Sequence, residues 1–384
     1  MEEIVATYRK SGKKKRKKKS PFRKAMTILG RVGIVLLVTI VILVGAAYLT
    51  LFKIKNSSEA ARNLLITTLM ESGQLKFVAK MVCSKKEIEA IVSTNAMKKM
   101  EVEQDASLIT VEAEESGEGN DAFADEVFDE NGIRLEEISG RSFYAKMLIV
   151  KDPSQVIVGS TFDGTRWTEY GKELMDLAND AGGVAAINGG LYVSTGNKGG
   201  QPLGVVVQNG KITYNNPNGL AGLYIIGMNY DNILIVEEIT GKSAKQVEEY
   251  VQEKGIRDAV AFQDEASDSN NHFVPLIING EPRELGGQGS GANPRTVIGQ
   301  RSDGAMLLLV TDGRGTSGHL GATASDLISI MQDYGAINAA NLDGGSSSTM
   351  VYNGNWEMTS VTFYYQNSSW KLPTAFVVKP KGGN

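Results

Sequence analysis

The chain holds one cysteine, Cys83, and two histidines, His272 and His319, in 384 residues. A single cysteine excludes an internal disulfide, so stability must come from a packed apolar core. Two histidines far apart in sequence argue against a multi-histidine metal centre. No EF-hand-type spacing of ligands is present either. The glycine-rich stretches GGQGSGANP (286–294) and STGNKGGQP (194–202) lack a lysine followed by Ser or Thr, which excludes a nucleotide-binding P-loop. They read instead as mobile rims of a ligand cleft.

Charge is missing altogether from VGIVLLVTIVILVGAAYLTLF (32–52). At ~1.5 Å per residue, an uncharged helix of this length crosses a ~30 Å hydrocarbon layer. Acidic residues are scarce before it: residues 1–31 carry 12 Lys and Arg against Glu2 and Glu3, and the remainder of the chain is acidic. The run KKKRKKKS (13–20) could bind nucleic acid, but the apolar span that follows decides against that partner. A cleaved signal peptide, with GAA (45–47) as its small-residue site, is the rival reading. The apolar run exceeds the ~7–15 residues of a signal core, so an uncleaved anchor through residues 32–52 is expected. The basic tail (1–31) would then lie in the cytoplasm, leaving everything beyond Phe52 outside it.

Residues 53–100 read as a helical stalk, able either to self-associate or to act as a spacer. SSEAARNLLITTLMES opens with cap-type serines, and SKKEIEAIV (84–92) carries a capping-box pattern, Ser84 with Glu87. Residues 101–131 are acidic and poor in aliphatics, as a solvated linker would be. From about 132 to 384, β-rich runs such as FYAKMLIV, LGVVVQNGKIT and AMLLLVTDG alternate with helical patterns. An α+β (mixed α/β) domain follows, with a mixed β-sheet core and flanking helices.

One pattern recurs in that domain. LMDLANDAGGVAAINGG (174–190) and LISIMQDYGAINAANLDGG (327–345) both read helix, Gly break, small-residue strand, then Asn or Asp with paired glycines. VEEYVQEKGIRDAVAFQDE (247–265) repeats the first three parts and ends in Asp264 and Glu265. The strand ends are expected to deliver Asn188, Asp264, Glu265 and Asp343 to one edge of a sheet.

INGGLY (187–192), NPRTVIG (293–299), TDGRG (311–315) and NLDGGSSSTM (341–350) therefore stand out. In this order, over roughly residues 140–380, they resemble the phosphodiester glycosidase family. The resemblance implies an enzyme that hydrolyses a sugar-1-phosphodiester such as a GlcNAc-1-phosphodiester. With the anchor, it implies a phosphate-linked cell-wall or surface glycan of a bacterium as substrate. The alternative is a non-catalytic glycan-binding or exopolysaccharide-assembly protein on the same fold.

The chemistry can be set against the residues directly. Glycosyl cleavage passes through an oxocarbenium-like state that a carboxylate stabilises or attacks. Asp343 is the first candidate, as nucleophile or as base for water; its other reading is a cap on the following turn. Asp312 comes second, against a plain strand-end turn, and Glu265 is a reserve acid or base. His319 could shuttle a proton or serve structurally. Arg295 offers phosphate a planar fork of donors, or else an ion pair that pins its loop. Arg314 would be a second phosphate donor. Asn188 is placed on sugar hydroxyls, with Gly189 and Gly190 clearing space for the ring. Gly344, Gly345, Ser346, Ser347, Ser348 and Thr349 would supply close backbone approach and hydroxyl donors. No cofactor is required. A divalent cation such as calcium fits a convergence of phosphate and Asp/Asn oxygens but is not demanded by any motif.

Overall fold

A computed structural model describes residues 20–72, 75–111, 126–194, 198–266, 271–361 and 368–382. The chain divides at Asn56 into two compact units. The first contains helix α1 (Pro21–Lys55), opened by Ser20, whose side chain accepts from the Arg23 amide, and by Pro21 in the first turn. It encloses the expected 32–52 span. By length and composition α1 is long and apolar enough to cross a membrane.

In the second unit three short helices come first: α2 (Glu59–Glu71), α3 (Lys76–Val82) and α4 (Lys85–Thr94). The capping box read from Ser84 and Glu87 is formed at the start of α4. These helices, expected as a stalk, belong to the same compact unit as the sheets. The reason is a row of specific contacts. The Thr68 hydroxyl accepts from Ala292 N at 3.0 Å, and Arg283 Nε donates to the Lys98 carbonyl at 2.7 Å. The presumed linker is likewise tied down at both described ends. Gln104 Oε1 accepts from Val236 N, and Glu126 pairs with Arg301. Residues 112–125 lie outside the described residues.

The rest is a mixed α+β fold of three large sheets, one of seven strands and two of five, with a two-stranded ribbon. All the strand pairings described are antiparallel. Helices α5 (Leu174–Asp180), α6 (Ala244–Glu253) and α7 (Ala324–Asp333) complete the seven described α-helices. Each of these three precedes one strand of a different sheet: Ala185–Asn188, Ile256–Gln263 and Ala336–Asn341 respectively. The recurrent sequence pattern is thus real, but its copies are spread over three sheets rather than along the edge of one. The Gly breaks have a common cause. Gly182, Gly255 and Gly335 take φ of +64°, +59° and +75° just past their helices, the left-handed conformation that ends a helix without steric cost.

The three sheets share one core. Leu148, Ile187, Ile226, Val260, Ile298, Leu308 and Phe376 meet there. The opposite faces pack on the helices: Met147 and Leu307 with Leu327 and Met331 of α7, Ala259 and Ala261 with Val247 of α6, and Ala186 and Val377 with Leu177 of α5. Strands covered on both faces read as unbroken apolar runs, which explains AMLLLV.

Candidate active site

The strand Ala336–Asn341 ends in the DGG segment, and the backbone there is pinned from both sides. Leu342 N donates to the Thr296 carbonyl at 2.8 Å and Gly345 N to the Pro294 carbonyl at 2.9 Å, so NLDGG and NPRT fold as one unit. Gly345 has φ +63°, and a Cβ on it would stand 2.5 Å from Arg314 Nη2. Glycine is needed here for conformation and for the arginine's seat.

Asp343 lies on the wall of a cavity together with Arg295, Arg314, Asn293, Asn341, His272 and Phe262. Dense packing around its carboxyl pushes its pKa from the ordinary 3.8 up to about 6; hydrogen bonds from Ser347 and the Gly344 amide, and the Arg314 guanidinium, oppose that rise. Ser347 is in turn 3.1 Å from the Tyr192 hydroxyl. Arg314, though its side chain reaches solvent, donates to Ser346 Oγ at 2.7 Å; the protein packed around its guanidinium and the neighbouring Arg295 charge lower its pKa. Two guanidiniums and one carboxylate therefore share a small space.

Arg295 is already engaged. Its Nη2 donates to Glu71 Oε2 of α2 at 2.6 Å, an ion pair buried on both sides. Asn293 Nδ2 donates to the same oxygen at 3.2 Å and Gly291 N to Glu71 Oε1 at 2.6 Å. Glu71 itself lines the cavity, which has a volume of about 120 Å³. Small-molecule sites usually span roughly 300–1,000 Å³, so this one is constricted. The segment 286–294, expected as a mobile rim, is buried from Gly289 to Pro294 beneath α2.

The remaining residues singled out in the sequence fall elsewhere. Asn188 is fully buried and its amide is occupied: Oδ1 accepts from Thr296 Oγ1 and Thr349 N, while Nδ2 donates to the Asp343 carbonyl at 2.7 Å. It holds the Asp343 loop in place. A Cβ on Gly189 would meet Thr374, and one on Gly190 would clash with the Ala261 carbonyl, so these glycines serve close packing between strands. Thr349 donates to the Met358 carbonyl. Asp312 accepts from Tyr144 N at 2.8 Å and faces His319 Nδ1 at 2.6 Å, tying the TDGR loop to the strand Tyr144–Val150. Glu265 sits on the short ribbon opposite His272. Asp312, His319, Glu265, Asn188, Gly189, Gly190 and Thr349 are not on the cavity wall. Among the described residues, no group of three or more His, Cys, Asp or Glu is placed to hold a metal ion.

Asn293 and Asn341 could have been found in the sequence, since they head NPRT and NLDGG. His272, Phe262 and Glu71 carry no motif.

A family model described as phosphodiester glycosidase matches residues 181–379, more than half of the chain. Among curated proteins, the SPbeta prophage-derived uncharacterized protein YomE of Bacillus subtilis (strain 168) is 44% identical over 64 residues, 17% of this chain. The match spans 10% of that relative's length. Among solved structures, the catalytic domain of zebrafish N-acetylglucosamine-1-phosphodiester alpha-N-acetylglucosaminidase, auto-inhibited by pro-peptide, has a TM-score of 0.47 at 20% identity. It covers 64% of this chain and 82% of its own. A hypothetical protein from Synechocystis has a TM-score of 0.37 at 16% identity, covering 64% of this chain and 61% of its own.

Proposed function

Because the chain belongs to the phosphodiester glycosidase family, we propose that it hydrolyses the bond between the anomeric carbon and the phosphate of a sugar-1-phosphodiester. The reading rests on one observation: Arg295, Asn293 and the Gly291 amide converge on the Glu71 carboxylate in a cavity whose wall also carries Arg314 and Asp343. The phosphate would take the seat of the Glu71 carboxylate, with Arg314 as its second cation. Asp343, ionised above its pKa of about 6, would meet the positive charge that develops at the anomeric carbon, as nucleophile or as base for water. The leaving group is a phosphate monoester, so the cleavage depends little on a strong general acid. Asn188, through the Asp343 carbonyl, and the Tyr192–Ser347 pair would keep that carboxylate aimed.

In this reading the described state is self-blocked, and α2 must withdraw Glu71 before substrate enters. The apolar helix α1 would anchor the chain with its basic N-terminus in the cytoplasm, presenting the site to a phosphate-linked wall or surface glycan. The full chain in detergent micelles, assayed on a GlcNAc-1-phosphodiester alongside a Glu71→Gln variant, tests the activity. Release of free sugar by either is the expected result. Binding without release by both would overturn hydrolysis in favour of a glycan-binding module.

A further inference from the structure

Three of the buried side-chain polar atoms without a hydrogen-bond partner in the structure belong to residues of this one cavity: His272 Nδ1, Asn341 Oδ1 and Arg295 Nε. A buried polar group left unpaired costs about 1–3 kcal/mol, so such atoms are rare and each needs an explanation. Three around one cavity point to a ligand that would pair with them. On the reading above, a phosphate would meet the Arg295 guanidinium. It would not account for His272 and Asn341.

Both groups are neutral and both are held in place. Asn341 Nδ2 donates to the Phe273 carbonyl at 2.9 Å and the Leu342 carbonyl at 3.0 Å, which leaves Oδ1 as an acceptor facing no donor. The amide cannot be turned over without losing both bonds. Asn341 also stands two residues before Asp343 on the same strand end. The His272 ring lies tilted on Phe262, centroids 5.1 Å apart, and its ribbon pairs it with Glu265. Burial, with Arg295 and Lys76 nearby, pushes its pKa down to about 4, so the ring carries no charge at neutral pH. A phosphate oxygen already finds charged donors on the other wall. An uncharged imidazole nitrogen and an amide oxygen beside an aromatic ring suit the uncharged part of the substrate.

We propose that His272 and Asn341 form a sugar-reading subsite, in which each pairs with a hydroxyl or amide N–H of the glycosyl ring held over Asp343. A hydroxyl serves His272 in either tautomer, since it both donates and accepts. An N–H or O–H on the sugar satisfies Asn341 Oδ1. This assignment makes the two residues determinants of which sugar is cleaved, and it rests on the phosphodiester glycosidase reading above.

The test uses the full chain in detergent, in the wild-type or the Glu71→Gln form, whichever turns over faster. The substrates are a set of sugar-1-phosphodiesters, each lacking one hydroxyl or the acetamido group. His272→Phe keeps the ring and its stack on Phe262 but removes the nitrogen. It should melt no lower than the wild type and lower kcat/KM on the complete sugar by roughly 10- to 100-fold. Against the one analogue lacking the group that His272 pairs with, wild type should already be slow and His272→Phe should cost nothing further. Wild type and His272→Phe showing the same loss at every position would overturn the subsite while leaving the hydrolase reading standing. No turnover of any substrate by either starting form would overturn both.

Discussion

Replacing Glu71 with Gln asks whether α2 closes the site or merely braces it. The carboxylate accepts hydrogen bonds from Arg295 Nη2 at 2.6 Å, Gly291 N at 2.6 Å and Asn293 Nδ2 at 3.2 Å. Glutamine has the same length, and its one oxygen can still accept, but the charge facing Arg295 is gone. Hydrogen bonds to charged groups contribute about 1.5–3 kcal/mol net. Losing roughly 2 kcal/mol of closure would raise the ratio of open to closed chains about 30-fold. If substrate enters only the open form, initial rates at low substrate should rise by up to that factor, and inorganic phosphate should bind more tightly by a similar one. Thr68→Ala gives an independent lever. Thr68 bonds Ala292 N without reaching the anion seat, so its removal should loosen α2 and raise the rate less. Both variants are also expected to lower the melting temperature. The reasoning is refuted if the rates of both variants fall in step with their melting temperatures, because the ion pair would then be holding a competent site together.

Asp343→Asn should fold and bind substrate while losing turnover on the order of a thousandfold, about 4 kcal/mol of transition-state stabilisation, measured as kcat beside a calorimetric Kd. For the wild type, kcat/KM should climb from pH 5 to 7 as Asp343 ionises near its pKa of about 6; a flat profile would remove it from the reaction. A carboxyl whose pKa is raised on folding costs stability as pH rises from about 3.8 through 6. Asp343→Asn should therefore melt higher relative to wild type at pH 7.5 than at pH 4, and a constant difference would contradict that burial. Gly345→Ala, with its Cβ against Arg314 and φ +63°, should lose activity and about 1–2 kcal/mol of stability. Gly190→Ala, whose Cβ would meet the Ala261 carbonyl and the Val260 side chain, should cost stability without changing the pH profile of the remaining activity.

Local rules made much of the architecture legible. The capping box at Ser84 and the glycine ends of the three domain helices depend on residues within one turn, and the apolar runs announced strands buried on both faces. How the three helix–Gly–strand copies would be distributed could not be read, because a strand covered on both faces looks alike in one sheet or in three. The glycines of INGG show a second limit. From sequence alone a paired glycine is equally a ligand clearance and a packing clearance; only the Ala261 carbonyl and the Thr374 side chain decide for packing.

The reading of Arg295 shows where such inference stops and why. A buried guanidinium must meet an anion, since leaving it unpaired would cost several kcal/mol. The sequence therefore offered two occupants, a phosphate or a structural carboxylate, as rival explanations of one residue. The structure places a carboxylate there, but it comes from Glu71, 224 positions away on a helix read as part of a stalk. A carboxylate drawn from the domain's own loops would have made the pair permanent scaffolding. One carried by α2, held through a few bonds to Gly291, Ala292, Asn293 and Arg295, would on the proposed reading be exchanged for a phosphate that offers anionic oxygens of its own. On that reading the two explanations of Arg295 would cease to compete and become two states of one seat, with the strength of the α2 contacts setting how often the second is available.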